Sequence, residues 1–532
     1  MNILVINLTR FGDLLQTQPV LHGLKAEGHR VGLLCLENFA PAAALLDSVD
    51  YLCPLPGGAL LSRLDQDWRL ALWNVEAVLD ALERDFPVQG LVNTTATLSA
   101  RLLARRLLPS GGRVRGFGLD ADGFGVSGDL WATFLQGATA QRLNCPFNIV
   151  DMFRMAAGVG RQPARSRLRP PGAAVLAEVD ERLRTAAPSG CGGFVALQLG
   201  ASEARRQWPV ARFAALGEGL WRESGLCPVL LGAPSERPLA EAYAAVSRAP
   251  FIDCIGGTDI PHLAGVLLRS RLLITNDTGT MHLAAGQGVP VLALFLATAQ
   301  PWDTGPYLPE CCCLEPDLDC HPCAFHSACP HELRCLEHIS AETVLALVRS
   351  RLEHGRWEAP PQNAARIWVT GEDAHGFADL RCISGHESAE RTVWLRLQRH
   401  FYRQILDSLN DGRLDDAAAY AQETAALSPV FRERVSTTLR QAGELLHLLC
   451  EQGVLLRRMP GPQAGQRMLA TCSRVHGVLD QCPPLAALGH LWRVLSQERG
   501  GDLDAMLRTA SVLREGLAAW QTALDVSRAC PL

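Results

Sequence analysis

Lysine is almost absent from this sequence, since Lys25 is the only one in 532 residues. The positive charge therefore comes almost entirely from arginine, and any anion site must be built from guanidinium groups, histidine or main-chain N–H groups. The formal net charge is only −5 at pH 7, so the chain has no overall basic field for nucleic acid. Nucleic acid is therefore not an expected partner.

Long apolar runs are also missing. The longest uncharged apolar run, 289–299, is about half of the ~20 residues that a membrane-spanning helix needs. The N-terminal stretch 1–6 has neither the basic residues before it nor the small-residue cleavage site after it that a signal peptide requires. We therefore expect a cytoplasmic protein whose 18 cysteines are reduced.

The length predicts about three domains, because a single hydrophobic core rarely serves more than 100–200 residues. Short apolar strands alternate with helical patterns over 1–160 and again over 161–355, as in the predicted strand 194–199 followed by the helix 210–222. This alternation is typical of α/β domains with parallel sheets. The sequence therefore predicts two Rossmann-like domains.

The remaining third of the chain has a different pattern. Pro360-Pro361 indicates a linker over 356–385, and helical periodicity predicts an all-helical domain over 386–532. Within it, 412–417 resembles half of a tetratricopeptide unit, although a single copy is weak evidence for a repeat fold.

Asp13 lies where the first predicted strand ends and a helix begins, next to Gly12. Open α/β sheets bind ligands at this carboxyl edge of the strands. Asp13 is interpreted either as a helix N-cap or as a general base that faces a cleft between the domains.

A second strand-to-helix junction contains Asp277, Thr278, Gly279 and His282. Free N–H groups and the helix dipole make such a junction suitable for a phosphate, and a glycine allows close approach. His282 could donate to the same anion. The alternative is that Asp277 and Thr278 are ordinary helix caps.

The turn after the strand 194–199 brings Ser202 close in sequence to Arg205 and Arg206, a composition that suits a diphosphate. Glu236 follows another strand, where an acidic side chain can hold ribose hydroxyls. Taken alone, the arginine pair is equally compatible with a solvated loop, and Glu236 is a weaker indication still.

These residues and their order resemble glycosyltransferase family 9, the ADP-heptose:lipopolysaccharide heptosyltransferases. The resemblance runs from Met1 to about Arg351 and is most specific over 276–285, followed by Gly288-Val289-Pro290. The start Arg10, Gly12, Asp13 agrees with it, as does the segment Trp208-Pro209 with Arg212-Phe213. The family implies a GT-B fold, in which two Rossmann-like domains face each other across a cleft, here with the helical domain appended.

The resemblance also implies roles for individual residues. Asp13 would be the catalytic base, with Arg10 and Gly12 beside it in the acceptor cleft. The donor would be bound by Ser202, Arg206, Glu236, Asp277, Thr278, Gly279 and His282. The sequence departs from the family at Gln198, where histidine is usual, and at Arg206, where a lysine before Trp-Pro is usual.

Seven cysteines fall within the Cys-rich knuckle, 311–335. Four of them, Cys320, Cys323, Cys329 and Cys335, have a C-x2-C-x5-C-x5-C spacing that favours a structural zinc or an iron centre. Unpaired or disulfide-forming thiols are the alternative. Similar knuckles occur in many members of the family that the chain resembles, including iron-binding autotransporter heptosyltransferases.

Three Asp-x-Asp matches, at 65–67, 120–122 and 317–319, are expected by chance, and we expect catalysis to require no cofactor or metal.

The candidate contacts for the acceptor are in a run of arginines that contains no acidic residue and includes Arg105 and Arg106. It is interpreted either as a solvated helix face or as a surface for an anionic glycolipid at the cytoplasmic face of the inner membrane. The resulting prediction is an inverting transferase that moves heptose or a related sugar from an ADP-sugar to a lipopolysaccharide-core-like acceptor. The alternatives are a protein heptosyltransferase that recruits a polypeptide through its helical tail and a non-catalytic binding scaffold. The oligomeric state is open.

Overall fold

The computed structural model describes residues 1–64, 67–108, 112–140, 142–160, 166–325, 327–411 and 421–529. They form two compact units. The first unit consists of Met1–Gly118 and Asn148–Gly385, and the second of Leu119–Phe147 and His386–Leu532. The half repeat predicted at 412–417 lies outside the described residues.

The first half of the first unit is built on a parallel sheet, within which the strand order is β3-β2-β1-β4-β5. Its strands are β1 (Asn2–Asn7), β2 (Arg30–Leu36), β3 (Tyr51–Leu55), β4 (Gly90–Asn93) and β5 (Val114–Leu119). Its helices are α1 (Phe11–Leu15), α2 (Gln18–Ala26), α3 (Ala40–Ala43), α4 (Gly57–Leu64), α5 (Trp68–Asp85) and α6 (Leu98–Leu107). Leu4, Val5 and Ile6 of β1 are fully buried, as expected for a central strand of a sheet that is covered on both faces.

The second half contains an eight-stranded sheet of order β14-β13-β12-β11-β10-β7-β8-β9. Its strands are β7 (Gly193–Gln198), β8 (Leu226–Leu231), β9 (Ile252–Asp253), β10 (Ser270–Asn276), β11 (Val291–Leu294), β12 (Cys312–Pro316), β13 (Ala365–Glu372) and β14 (Ala378–Cys382). The helices from Asn148 onward in this unit are α8 (Ile149–Ala156), α9 (Ala173–Ala186), α10 (Val210–Ser224), α11 (Arg237–Val246), α12 (Ile260–Arg269), α13 (Gly279–Gly286), α14 (Pro301–Thr304) and α15 (Ala341–His354). Strands β7 to β12 pair in parallel, which confirms the second Rossmann-like domain.

The linker predicted over 356–385 is wrong for most of that range. Strand β13 pairs antiparallel with β12, and β14 pairs antiparallel with β13, so the segment extends the second sheet. Residues 365–370 are all buried. The burial of this apolar strand outweighs the preference for a linker that Pro360-Pro361 indicates.

The second unit is mainly helical, which confirms the predicted helical region. Its elements are β6 (Gly125–Ser127), α7 (Leu130–Ala140), α16 (Glu390–Asp411), α17 (Ala421–Thr424), α18 (Pro429–Arg458), α19 (Pro462–Asp480), α20 (Ala486–Glu498) and α21 (Leu503–Ala529). Residues 119–147, assigned from the sequence to the first domain, belong to this unit instead. The indole of Trp131 donates to Asp407 at 2.8 Å, and Phe134 packs against Tyr402 with 4.8 Å between the ring centroids. Among the described residues, no helix combines the length and apolar character needed to cross a bilayer.

Candidate functional site

The two halves of the first unit meet where α1 faces the start of α13. A Cβ atom on Gly12 would lie 2.9 Å from Cδ2 of His282, and a Cβ on Gly279 would collide with the ring of Phe11. Such distances are too short for a real side chain, so both positions need glycine for this close approach. The predicted base region and the predicted phosphate region therefore lie side by side.

Asp13 lies in the first turn of α1 and is partly buried. The N-cap position of this helix is Arg10, which is exposed and makes no side-chain capping hydrogen bond. Asn7, at the end of β1, donates its side-chain amide to the main-chain oxygen of Asp13 at 3.3 Å. The N-cap interpretation of Asp13 is therefore wrong, and its position on the helix that approaches α13 is compatible with a role as base.

Helix α13 begins directly after β10 with Thr278 at the N-cap position. Its side chain makes no capping hydrogen bond and contacts the hydroxyl of Thr275 at 3.2 Å instead. The plain-cap interpretation of Thr278 is therefore not supported. The uncapped first turn of a helix is a suitable place for an anion.

His282 follows one turn into α13. The side chain is partly exposed, but its Nδ1 atom is buried and has no hydrogen-bond partner among the described residues. Burial lowers the pKa of His282 to about 4. The ring is therefore neutral near pH 7, and any hydrogen bond that it gives to a ligand comes from a neutral imidazole.

Arg206 lies close to Asp277, as the sequence predicts. The residue is only 6% exposed, and its guanidinium donates to the hydroxyl of Thr298 at 2.9 Å. It also contacts the carboxylates of Glu203 at 3.1 Å and Asp277 at 3.5 Å. The pKa of Glu203 is lowered, first by its hydrogen bond from Arg205 and then by the charge of Arg206. The guanidinium of Arg206 is therefore held in one position by a hydroxyl and two carboxylates.

Glu236 is held close to the start of α13. Its carboxylate accepts from the main-chain N–H of Ala233 at 2.8 Å and from the side-chain amide of Gln198 at 3.2 Å. The Gln198 oxygen in turn accepts from Thr280 of α13 at 3.1 Å. A side chain on Gly200 would collide with this carboxylate. Gln198 therefore takes part in the site despite its departure from the family pattern.

Asn276 is a site residue that sequence reasoning did not single out. It is fully buried, and its amide group donates to the main-chain oxygen of Leu199 at 2.8 Å and accepts from the N–H of Trp208 at 2.9 Å. It therefore fixes both ends of the loop that carries Ser202 and Arg206. An asparagine at the end of a buried strand was the available sequence signal. Ser202 itself is exposed on this loop.

The four spaced cysteines of the knuckle lie near one another as free thiols. Burial, followed by repulsion from Cys335, Cys320 and Cys329, raises the pKa of Cys323. Among the described residues, however, no group of three or more histidine, cysteine or acidic side chains is arranged to hold a metal ion. Within the described residues, the zinc or iron site predicted at these four cysteines is therefore not formed.

The predicted acceptor arginines, Arg105 and Arg106, lie on α6. Arg106 on α6 forms ion pairs with Glu76 at 2.9 Å, Asp80 at 3.3 Å and Glu83 at 2.9 Å, all of them on α5. The sequence run contains no acids, but the neighbouring helix supplies three. Arg106 is therefore not an open anion contact, whereas Arg105 is exposed on the same helix.

Two Rossmann-like halves, with Asp13 at a strand-to-helix junction of one and the uncapped start of α13 on the other, are typical of a glycosyltransferase of the GT-B class. Residues 170–333 match the family model of glycosyltransferase family 9 (heptosyltransferase), which confirms the resemblance seen in the sequence. No curated protein sequence matches the chain.

Solved structures of similar fold include a family 9 glycosyl transferase from Veillonella parvula. It is 18% identical and has a TM-score of 0.52, and the match covers 66% of this chain and 97% of that one. The ADP-heptose lipopolysaccharide heptosyltransferase II of E. coli is 17% identical with a TM-score of 0.47, covering 67% of this chain and 99% of that one. The iron-containing dodecameric glycosyltransferase TibC of enterotoxigenic E. coli is 11% identical with a TM-score of 0.37, covering 66% and 77%. The Veillonella protein supports the fold.

Proposed function

We propose that this glycosyltransferase moves heptose or a related sugar from an ADP-sugar to a lipopolysaccharide-core-like acceptor with inversion at the anomeric carbon. The observation that supports the proposal is the close approach of α1 and α13 at Gly12 and Gly279, since α1 also carries Asp13. The chain's own residues could then accept the proton of the acceptor hydroxyl, position the donor and stabilise the charge of the leaving diphosphate.

In the proposed reaction, the Asp13 carboxylate accepts the proton of an acceptor hydroxyl as that oxygen attacks the anomeric carbon. The bond from this carbon to the diphosphate oxygen breaks, and its electron pair leaves with ADP. Arg206 and the first N–H groups of α13 would stabilise the charge that develops on the leaving diphosphate, a role supported by the contact of Arg206 with Asp277 and by the uncapped start of α13. Glu236, held by Gln198 and Ala233, would bind the ribose hydroxyls.

Replacement of Asp13 by asparagine tests the proposal. The amide cannot accept the proton, so we expect turnover to fall by at least about a hundredfold, while the affinity for the ADP-sugar changes little. Release of ADP from ADP-heptose in the presence of core oligosaccharide gives the rate, and calorimetry gives the affinity. Glu37→Gln is the matched control, because Glu37 is an exposed acid that follows β2 at the same edge of the sheet. Near-normal turnover of Asp13→Asn would remove Asp13 as the base.

We further propose that the acceptor is lipid-linked and is met at a membrane surface. Support comes from an apolar surface on α4 and α5 where large side chains are more than half exposed. These are Leu61, Leu64, Trp68, Leu70, Leu72 and Trp73. The guanidinium of Arg69 lies over the ring of Trp68 at 5.0 Å. Exposed tryptophan and leucine beside arginine are typical of segments that lie in a bilayer interface.

Vesicle binding distinguishes this surface from an ordinary solvated one. We expect Trp68→Ser combined with Trp73→Ser to weaken co-sedimentation with phosphatidylglycerol vesicles and to raise the KM for a lipid-linked acceptor, but not for delipidated core oligosaccharide. Val430→Ser is the control, since Val430 is 81% exposed on α18 of the other unit. Unchanged vesicle binding by the double variant would contradict the proposed surface and favour a soluble or polypeptide acceptor.

A further inference from the structure

The guanidinium of Arg206 has an aromatic ring on one face. Its carbon atom lies 5.3 Å from the centroid of the Phe325 ring, while its nitrogen atoms contact Thr298, Glu203 and Asp277. A cation held over an aromatic face is attracted by the ring, more strongly when water is excluded. Phe325 belongs to the Cys-rich knuckle, which the proposed reaction does not use.

Arg205 attaches the main chain of this part of the knuckle to the donor loop. It donates to the main-chain oxygens of Phe325 at 2.5 Å and Ser327 at 3.1 Å. Its third contact is to the carboxylate of Glu203 at 2.6 Å, and Glu203 also accepts from Arg206. Phe325, Arg205, Glu203 and Arg206 therefore form a closed ring of contacts, in which displacement of one member changes the others.

The knuckle is fixed from its other side as well. The N–H of Cys323 donates to the main-chain oxygen of Ala297 at 2.8 Å, and the next residue, Thr298, accepts the hydrogen bond of Arg206. Arg366 of β13 donates to the main-chain oxygens of Pro316 at 2.8 Å and His321 at 3.2 Å. Phe325 is thus presented by a segment with fixed ends rather than by an unattached loop.

We propose that the knuckle positions the diphosphate-binding arginine, with Phe325 as the positioning residue that holds the guanidinium of Arg206 towards Asp277. The inference deepens the proposed function and rests on it, because it takes the diphosphate of a nucleotide-sugar as the ligand of Arg206. Phe325 does not touch the reacting atoms, and it acts through Arg206. Loss of its ring should therefore weaken recognition of the second phosphate and leave the nucleoside part unaffected.

Calorimetry with ADP and AMP tests this distinction in the full chain. For Phe325→Leu we expect the Kd for ADP to rise about fivefold to twentyfold, with a change of less than about twofold for AMP. Phe325→Tyr keeps the ring and should restore the wild-type ratio of the two affinities. Phe251→Leu is the control, because Phe251 packs on Tyr243 at 5.1 Å near β9, at the opposite edge of the same sheet.

Several outcomes would overturn the inference. Equal losses for ADP and AMP would indicate a general structural role, and Phe325→Leu behaving like Phe251→Leu would indicate no role. A wild-type protein that binds ADP no more tightly than AMP would overturn it together with the diphosphate role of Arg206. Turnover of the ADP-sugar by the wild type separates the failure of the proposed reaction from the failure of the positioning role. If the wild type is active but Phe325→Leu leaves the affinity for ADP unchanged, only the positioning role of Phe325 is contradicted.

Discussion

The sequence predicts those residues of the candidate site whose position follows from their immediate neighbours in the chain. Asp13, Asp277 and Gly279 stand at strand-to-helix junctions, and such junctions can be read from short-range patterns. The ion pairs of Arg106 could not be predicted from local patterns, because its acidic partners, such as Glu83, come from another helix. Asn276 was not singled out because its role depends on main-chain groups almost 70 or more residues away.

His282 provides a prediction at this scale. Burial lowers its pKa from 6.5 to about 4, so between these values the unfolded chain binds a proton that the folded chain excludes. The stability contributed by this site is therefore complete above pH 6.5 and is lost as the pH falls towards 4. We expect the ring carbon NMR signals of His282 to stay constant from pH 8 to pH 5.

His262 is the internal reference for this titration, because its hydrogen bonds to the carboxylates of Glu178 and Asp259 raise its pKa above 6.5. His282→Gln assigns the signal. If the His282 signal moved with a midpoint near 6.5, the ring would be solvated in the free enzyme, and the neutral imidazole inferred for the donor site would be incorrect.

At the scale of elements, the sequence pattern located strand β7 and helix α10 of the second half to within two residues. The strand predicted at 194–199 is Gly193–Gln198, and the helix predicted at 210–222 is Val210–Ser224. Buried parallel strands and amphipathic helices have strong local periodicity. Strand β13 was missed because it follows two prolines and joins the sheet through antiparallel pairing, which no local pattern specifies.

The contact between α1 and α13 gives a prediction for these two elements. In Gly279→Ala the new methyl group would collide with Phe11, and such overpacking costs about 1–3 kcal/mol. Because α1 carries Asp13, we also expect kcat to fall by roughly tenfold or more, since small displacements of a reacting group are costly. Thermal unfolding and ADP-release kinetics measure both effects.

Gly443→Ala is the matched control for this substitution. Gly443 lies within α18, and a Cβ there would meet nothing within 4 Å. An alanine in an open helical position should raise stability by about 0.5–1 kcal/mol and leave kcat unchanged. A Gly279→Ala enzyme with wild-type kcat would show that the two helices separate without consequence for the reaction.

At the scale of the whole molecule, the division into units differs from the order of the sequence. Residues 119–147 look like one more helix of the first Rossmann-like domain, and periodicity alone cannot distinguish such a helix from a partner of distant helices. In the structure, Trp131, Phe134 and Phe147 are buried, and their unit is completed by residues after 385. Trp131 packs edge-on against Phe147 with 5.1 Å between the ring centroids.

This interleaving predicts how truncations behave. A chain ending at Gly385 keeps 119–147 but removes Asp407, the acceptor for the Trp131 indole, and Tyr402, which packs on Phe134. We expect it to aggregate, because buried aromatic side chains become exposed.

A second truncation that also replaces 119–147 with a flexible Gly-Ser linker of about 15 residues removes that apolar surface. It should remain monodisperse in size-exclusion chromatography and unfold cooperatively, since the first unit keeps both of its sheets and their cores. If the simple truncation were as well behaved as the second one, residues 119–147 would be stable without the helical region, and the two-unit division would be incorrect.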